Sequence, residues 1–425
     1  MALRKFAMNI YVETYGCTAN KADECLLIGL LKQGKHRIID NIPDADVLIL
    51  LTCTVIGTTE QRMLSRLKVF QKTYKKIIVA GCMPAVQADL IKTVVPNADL
   101  LLPNSLQYIN NIISISKKKP TFSESKKTHL PKDFKGVIAP ISIAEGCLSS
   151  CSYCITHFAR GRLRSFPFEE IVADVCSALN QGCKEIQLTA QDTALYGLDS
   201  KTNLGELLRQ VCMIEGLFRV RVGMMNPAAL QKNLASILSA YQHPVIYKFL
   251  HLPVQSGDDD ILKKMNRGYT MKEFTQIVNR FRKSLPTLTL STDVIIGFPT
   301  ETDEQYKKTI KLLQNIKPDI INITRFSARP LTKAKTMKGR IPTHIVKERS
   351  KEITKVCSNI SLQKNREHIG KNYTVLVTEK GKQQTLTGRS PNYKQVVLKE
   401  PVAIGNFVNV NIIDATATYL VGKLI

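Results

Sequence analysis

Three cysteines in one short segment are the strongest sign of chemistry in this 425-residue sequence. The segment reads Glu145-Gly-Cys147-Leu-Ser-Ser-Cys151-Ser-Tyr-Cys154, which is a Cys-x3-Cys-x2-Cys spacing. Three thiolates on one tight loop can ligate three irons of a four-iron, four-sulfur cube and leave the fourth iron without a protein ligand. The alternative is a zinc site with His157 as a fourth ligand, although this spacing is not usual for zinc.

A second set of three cysteines is spread through the first part of the chain. Cys17, Cys53 and Cys82 are separated by 36 and 29 residues, and one βα unit is about 30 residues long. Each follows an apolar run that we predict to be a strand, so the three thiols would meet at the carboxyl edge of one sheet. Gly16 and Gly81 would let the backbone approach a bulky group there. The spacing favours a second cluster with an open iron, and the alternative is three unrelated core thiols.

The elements that must position these cysteines alternate between strand and helix. The pattern predicts strands at Asn9–Cys17, Val47–Cys53 and Ile77–Cys82, with helices near Lys21–Gln33 and Thr58–Tyr74. Continuous apolar strands are typical of a parallel sheet covered on both faces. We therefore predict an α/β protein whose residues 8–116 form a doubly wound domain.

The rest of the chain divides into three further regions. Residues 117–135 hold seven lysines and two acidic residues and are predicted to be a basic linker. Six βα-type repeats over residues 136–365 predict a partial (βα)6 barrel, because a full eight-fold barrel needs more chain. Residues 366–425 contain four β-type runs broken by Gly and Pro, which predict a small antiparallel β-barrel, OB-like in form.

The charge balance points to a polyanionic partner. With 60 Lys and Arg against 35 Asp and Glu, the formal net charge is +25, and nucleic acid is the commonest partner for such a surplus. The alternative is a solvated basic surface without a specific partner. No run approaches the ~20 apolar residues of a spanning helix, and the first residues lack an apolar leader, so we expect a cytoplasmic protein without membrane contact.

Several segments, in the same order, resemble the methylthiotransferase family of radical S-adenosylmethionine (SAM) enzymes. Besides the triple-cysteine loop they are Tyr15-Gly-Cys-Thr-Ala-Asn20, Ala80-Gly-Cys-Met-Pro84, His251-Leu-Pro-Val-Gln-Ser-Gly257, Met265-Asn-Arg-Gly-Tyr269 and Thr292-Asp-Val-Ile-Ile-Gly-Phe-Pro299. The tail segment Gly388-Arg-Ser-Pro-Asn-Tyr-Lys394 is similar to the RNA-binding TRAM barrel.

The resemblance implies two 4Fe–4S clusters and SAM as cofactors. Cys147, Cys151 and Cys154 would hold the cluster whose open iron binds SAM, and an electron from it would cleave SAM to a 5′-deoxyadenosyl radical. Cys17, Cys53 and Cys82 would hold an auxiliary cluster that carries the sulfur. SAM would be used twice, once to methylate that sulfur and once as the radical source.

The segment Cys151-Ser-Tyr-Cys-Ile-Thr156, followed by Ala159-Arg-Gly-Arg-Leu-Arg-Ser165, resembles the archaeal and eukaryotic branch. That branch converts N6-threonylcarbamoyladenosine at position 37, beside the anticodon of tRNA, to its 2-methylthio derivative. Ala19 replaces a usual bacterial Met and Leu331 a frequent Gly, so the substrate stays open. The alternatives are isopentenyladenosine in tRNA, an aspartate of a ribosomal protein, and a two-cluster electron carrier. Net charges of +5 in the linker and +4 in the tail favour RNA.

Other side chains are assigned to cofactor and RNA contacts. Tyr153 matches the family position that helps to seat SAM, and the predicted strand ends add Gln191, Asp192, Gln255 and Ser256 as SAM contacts. His251 is interpreted as a structural histidine. The predicted phosphate contacts, with solvated side chains as the alternative, are Arg160, Arg162, Arg164, Lys380, Lys382, Arg389 and Lys394. Tyr393 would either stack on a base or pack. The expected partners are the tRNA anticodon stem-loop and an electron donor such as a flavodoxin or ferredoxin, with the enzyme a monomer.

Overall fold

A computed structural model describes residues 7–114 and 127–425. The N-terminal region contains β1 (Asn9–Thr14), α1 (Thr18–Gln33), β2 (Arg37–Ile39), β3 (Val47–Thr52), α2 (Gly57–Gln71), β4 (Lys76–Gly81), α3 (Cys82–Val86), α4 (Ala88–Val94), β5 (Asp99–Leu101), a 3-10 helix at Pro103–Tyr108 and α5 (Ile109–Ile113). Its strands form a parallel sheet in the order β2-β1-β3-β4-β5.

Helices cover both faces of this sheet. All residues of β3 are buried, and its alternate side chains enter two different cores, one with Leu27 of α1 and one with Leu67 and Phe70 of α2. Burial on both faces explains why the strand is a continuous apolar run. The prediction of a doubly wound N-terminal domain is confirmed, while β2 and β5 were missed because three residues show no periodicity.

The middle region is built from repeated strand and helix units. Its elements are β6 (Ile138–Ser142), β7 (Ala144–Glu145), α6 (Thr156–Arg160), β8 (Arg164–Ser165), α7 (Phe168–Asn180), β9 (Glu185–Thr189), a 3-10 helix at Thr193–Leu195, α8 (Leu204–Cys212), β10 (Arg219–Val222), α9 (Pro227–Lys232), α10 (Leu234–Ala240), β11 (Phe249–His251), α11 (Asp259–Lys264), α12 (Met271–Ser284), β12 (Thr289–Ile296), α13 (Asp303–Ile316), β13 (Ile320–Arg325), α14 (Lys333–Thr336) and α15 (Thr343–Arg366).

Six of these strands form the predicted partial barrel. β6, β9 and β10 pair in parallel, as do β11, β12 and β13, and a parallel bridge between Val220 and Ile246 joins the two groups. The helices begin where side chains can satisfy free backbone amides. Thr270 and Glu273 form a capping box at the start of α12, and Thr302 and Gln305 form one at the start of α13.

The C-terminal region is a closed barrel of five strands. Its members are β14 (Asn372–Lys380), β15 (Leu386–Arg389), β16 (Gln395–Leu398), β17 (Phe407–Ala415) and β18 (Leu420–Leu424), in the order β14-β15-β16-β18-β17. The sequence predicted four strands and missed β18, a short strand interrupted by Gly422. The predicted fold class is otherwise confirmed.

A tyrosine of the C-terminal barrel packs against residues near the first residues of strands in the middle region. Tyr393 lies between Tyr247 and Phe249, with ring centroids 4.8 Å from each. Its hydroxyl lies 3.2 Å from Glu185 Oε1 and 3.2 Å from Gln187 Nε2. Of the two predicted roles for Tyr393, the structure supports packing.

Residues 117–126 of the predicted linker lie outside the described part of the chain. The remainder is packed against helices, because Lys132 pairs with Asp174 at 2.7 Å and Lys127 is buried beside Asp23 and Glu145. Within residues 7–114 and 127–425, no helix has both the length and the apolar character needed to cross a bilayer.

Candidate active site

The N-terminal cysteines lie side by side at the carboxyl edge of the first sheet. Cys17 is the N-cap residue of α1, Cys53 follows β3 directly, and Cys82 is the first residue of α3. Because β1, β3 and β4 are neighbours in the sheet, the three residues share one edge. Gly81 has φ +90°, and a Cβ there would lie 2.6 Å from the carbonyl oxygen of Thr52, so the turn into Cys82 requires glycine.

The second triad lies on a loop whose ends are held together by pairing of β7 with β8. The loop is also fixed from outside. Ser152 donates its backbone amide to the Met265 carbonyl at 3.0 Å and its hydroxyl to the Lys264 carbonyl at 2.8 Å. Ala334 of α14 donates its amide to the Ser152 carbonyl at 2.8 Å. The backbone between Cys151 and Cys154 is therefore held in place by two helices.

All six cysteines line one cavity of about 420 Å³ between the two domains. His157 is exposed, and among the described residues no three His, Cys, Asp or Glu side chains converge to hold a single metal ion. His157 lines the same cavity as Cys147, Cys151 and Cys154. A larger cavity of about 600 Å³, between Ile56 and Arg340, contains no cysteine, and we place the chemistry in the smaller one.

Four of the cavity thiols have a raised pKa. Burial raises the pKa of Cys53 and of Cys147 to about 11. Burial also raises the pKa of Cys82 and Cys151, in each case opposed by a nearby arginine. A bound cluster needs thiolates, so its assembly must displace these protons. Two triads of soft sulfur donors in one enclosed cavity fit two iron–sulfur clusters.

Two buried acceptors in the cavity fit a cofactor that carries hydrogen-bond donors. Asp192 accepts the amides of Asn226 and Ala194 through Oδ1 at 3.0 and 3.1 Å, while its Oδ2 has no partner among the described residues. Burial raises the pKa of this carboxyl to about 6. Gln255 has φ +67° and a buried Oε1 that also lacks a partner. The ammonium and ribose hydroxyls of SAM are donors of the kind these oxygens need.

The other predicted SAM contacts differ in their placement. Tyr153 lines the cavity. Gln191 also lines it, and its Oε1 accepts the Gly146 amide at 2.6 Å, so this side chain holds the start of the cysteine loop. Ser256 is not among the residues that line the cavity. Its side chain is buried outside the cavity and accepts the Asp258 amide at 3.3 Å as part of a turn.

Sequence reasoning missed several residues of the cavity wall. His251 lies there, with Nε2 3.0 Å from Asp293 Oδ2. Arg267 donates from Nη1 to the Cys151 sulfur at 3.1 Å and is 7% exposed. Both residues lie in sequence segments that resemble the methylthiotransferase family, and this resemblance is the signal that could have identified them. Asn226 and Arg221 complete this part of the wall.

Two of the predicted phosphate contacts, Arg160 and Lys394, are buried and paired with carboxylates inside the protein. The Arg160 side chain is 3% exposed and pairs with Asp23 at 2.6 Å. Lys394 is 4% exposed, 2.8 Å from Asp319 and 2.9 Å from Asn365 Oδ1. Arg389 is half-buried with its guanidinium 5.0 Å from the Tyr393 ring. Arg164 is half-buried, and the exposed candidates are Arg162, Lys380 and Lys382.

Comparison with known proteins agrees with this arrangement. Residues 141–313 match the Radical SAM superfamily, residues 9–103 the uncharacterized protein family UPF0004, and residues 366–425 the TRAM domain. Among solved structures, the radical S-adenosylmethionine methyltransferase TsrM from Kitasatospora setae is similar in fold, with a TM-score of 0.58, 11% identity and coverage of 77% of each chain. The cobalamin-dependent radical enzyme OxsB has a TM-score of 0.52 at 10% identity, covering 83% of this chain and 56% of that one.

The partial barrel, with three cysteines after its first strand and SAM-compatible acceptors at its carboxyl edge, defines a radical SAM enzyme. Probable threonylcarbamoyladenosine tRNA methylthiotransferases from Pyrococcus abyssi and Archaeoglobus fulgidus are 42% and 41% identical, each over 98% of this chain and 99% of the relative. The human threonylcarbamoyladenosine tRNA methylthiotransferase is 33% identical over 97% of this chain and 73% of its own length. The chain belongs to the threonylcarbamoyladenosine tRNA methylthiotransferase family.

Proposed function

We propose that this enzyme converts N6-threonylcarbamoyladenosine at position 37 of tRNA to its 2-methylthio derivative. The observation that carries the proposal is the convergence of two cysteine triads on one cavity, in a chain whose relatives of that name align over nearly its full length. We assign the auxiliary cluster to residues 8–116, radical chemistry to 136–365 and RNA binding to 366–425.

The reaction explains why two cysteine triads share one cavity. The C2–H bond of adenine is neither acidic nor attached to a leaving group, so general acid–base catalysis alone has no proton to move. With SAM and the SAM-binding cluster bound, an electron from the cluster would cleave SAM to a carbon radical that can remove this hydrogen. The chain's own task is to hold the adenine between the sulfur carrier and the radical source, and to exclude water.

Nine side chains of the cavity are assigned to holding the two clusters and SAM. Cys147, Cys151 and Cys154 hold the SAM-binding cluster, and Gln191 fixes the loop that carries them. Asp192 and Gln255 offer oxygens to donors of SAM, and Tyr153 lines the same part of the wall. The auxiliary cluster is held by Cys17, Cys53 and Cys82.

We assign tRNA binding to cationic side chains outside the cavity. Arg162 and the half-buried Arg164 lie on the segment that follows the cysteine loop, and Lys380 and Lys382 lie at the end of β14. Such contacts position the anticodon stem-loop through its phosphates, while the cavity selects the base. A tRNA substrate would place the enzyme in the cytoplasm, and we expect it to act as a monomer.

An acidic electron donor of the flavodoxin or ferredoxin kind suits the outside of the cysteine loop. Residues 320–347 contain seven Lys or Arg and no Asp or Glu. Lys333 and Lys335 of this segment are exposed, and Ala334 between them is hydrogen-bonded to Ser152 at 2.8 Å. An opposite charge on the donor would speed its encounter with the surface above the cluster.

Anaerobic reconstitution followed by turnover with tRNA tests the proposal. We expect about eight irons per chain, 5′-deoxyadenosine release, and 2-methylthio-N6-threonylcarbamoyladenosine in the digested tRNA by mass spectrometry. Methylthiolated isopentenyladenosine or a modified ribosomal-protein aspartate would assign another substrate, and a protein yielding no 5′-deoxyadenosine would be an electron carrier. About four irons, or sulfur insertion that survives alanine at Cys17, Cys53 and Cys82, would contradict the two-cluster mechanism.

A further inference from the structure

A buried arginine joins the two cysteine triads. Arg160 is the last residue of α6, six residues after Cys154, and its side chain is 3% exposed. It reaches across the domain boundary, where Nε donates to the Cys82 sulfur at 3.3 Å. Its other nitrogens contact Asn20 Oδ1 at 2.7 Å, Asp23 Oδ2 at 2.6 Å and Glu145 Oε1 at 3.2 Å.

The two carboxylates around Arg160 are shared with other cations. Lys127 lies 2.6 Å from Asp23 and 2.9 Å from Glu145, and all four ionic side chains are at most 6% exposed. Arg164 also lies 3.5 Å from Glu145 Oε2, so three cations face two carboxylates, and this pairing limits the cost of their desolvation. The Nε–H directed at Cys82 is therefore an additional bond from a group with one surplus positive charge.

That additional bond suits a ligated thiolate better than a free thiol. A guanidinium holds its five N–H groups in a fixed planar fork. Once the Nη atoms are directed at the oxygens of Asn20, Asp23 and Glu145, the direction of Nε–H is set by the protein. A neutral thiol is a weak acceptor, whereas hydrogen bonds to the sulfurs of an iron–sulfur cluster shift its reduction potential.

We propose that Arg160 is a positioning residue of the auxiliary cluster, whose Nε–H···S bond holds Cys82 beside the SAM-cluster loop and raises the reduction potential of that cluster. The bond stabilises the more negative, reduced state, because it places a positive charge and a donor at one ligand sulfur. The proposal rests on the proposed function in one respect, that Cys17, Cys53 and Cys82 hold a cluster.

Arg267 offers a matched comparison on the other triad. It is also buried, it also donates to a cysteine sulfur, and its distance to Cys151 is 3.1 Å. The two arginines thus serve different triads, so each substitution should act on one cluster and leave the other unchanged.

The first test measures each cluster alone in the full-length chain. Cys147, Cys151 and Cys154 are replaced by alanine so that only the auxiliary cluster assembles, and its potential is titrated by electron paramagnetic resonance. We expect Arg160→Met to move the potential to a more negative value, Arg160→Lys to move it less, and Arg267→Met to leave it unchanged. With the N-terminal triad replaced instead, we expect the reverse, a shift with Arg267→Met and none with Arg160→Met.

Iron content separates the two possible failures. About four irons per chain in the first background with an unmoved potential in Arg160→Met would overturn the role of Arg160 while leaving the proposed function standing. No iron in that background without the arginine substitution would overturn the proposed function, and the inference with it.

A second measurement needs no arginine substitution, in case those variants fail to fold. The single-cluster protein with native Arg160 is labelled with 15N-arginine, reduced, and studied by pulsed electron paramagnetic resonance. We expect a 15N hyperfine coupling that unlabelled protein lacks, because Arg160 is the arginine that bonds a thiol of this triad among the described residues. A reduced cluster without this coupling would refute the hydrogen bond.

Discussion

At the scale of single residues, Asp192 has a buried oxygen at the cavity that accepts no hydrogen bond from the residues the structure describes. We expect Asp192→Asn to weaken SAM binding by about 10- to 100-fold, since a hydrogen bond to a charged group contributes about 1.5–3 kcal/mol. Iron content should stay unchanged because the residue is not a ligand. Equilibrium dialysis of SAM against reconstituted protein measures the effect.

The control for this substitution is Ser256→Ala. Ser256 follows Gln255 in the sequence but lies outside the cavity, so its removal should leave SAM affinity as it was. Equal losses in both variants would show that general disturbance of the barrel edge, and not a direct contact, accounts for the effect.

We expect His368 to make the folding stability of the protein depend on pH. Its side chain is buried at the junction of α15 and the C-terminal barrel, 2.7 Å from the Tyr373 hydroxyl. Burial, reinforced by Lys394 and Lys371, lowers its pKa to about 4. The unfolded chain, with a histidine pKa of about 6.5, then binds a proton that the folded chain does not, so stability falls as pH drops from about 6.5 towards 4.

We expect His368→Asn to flatten the decline of the melting temperature over that pH range, measured by differential scanning fluorimetry. His344→Asn, which removes an exposed histidine of α15, should leave the decline as steep as before. An unchanged pH profile in His368→Asn would mean that other groups cause the acid sensitivity.

At the scale of elements, the turn from β4 into α3 positions Cys82. We expect Gly81→Ala to displace this turn, because its Cβ would lie 2.6 Å from the Thr52 carbonyl oxygen. Iron content should fall from about eight to about four per chain, while SAM binding at the other cluster persists.

Gly182→Ala separates backbone strain from this clash. Gly182 has nearly the same φ, +93° against +90°, but no atom lies within 4 Å of its added Cβ. Its substitution should cost about 1 kcal/mol or somewhat more in folding free energy and keep both clusters. Retention of eight irons in Gly81→Ala would show that the glycine is not needed to place Cys82.

At the scale of the whole molecule, we expect the surplus of positive charge to affect tRNA binding through a few exposed side chains. We expect the double substitution Lys380→Ala and Lys382→Ala to weaken tRNA binding and to lower the slope of log affinity against log salt by about one for each lost phosphate contact. Fluorescence anisotropy with labelled tRNA at several salt concentrations measures both quantities.

Lys68→Ala is the control for charge alone, since Lys68 is an exposed lysine of α2 on the N-terminal domain. It should change the affinity little. A loss equal per lysine to that of the double variant would mean that the tRNA responds to net charge rather than to the C-terminal barrel.

The spacing of the six cysteines and the alternation of strand and helix were sufficient to predict the α/β fold, the partial barrel and both triads. These features depend on residues close in sequence, since a βα unit repeats within about 30 residues and a strand or helix imposes its own periodicity. Short elements such as β2 and β5 carried too few residues for that signal.

Only the tertiary structure decided which polar side chains are buried. Arg160 and Lys394 have the composition of phosphate contacts, yet their partners Asp23 and Asp319 lie 137 and 75 residues away. Ser256 follows a residue of the cavity wall but turns away from it. Burial and pairing depend on how distant elements pack, which no local pattern records, so the link from Arg160 to Cys82 became visible only in the folded chain.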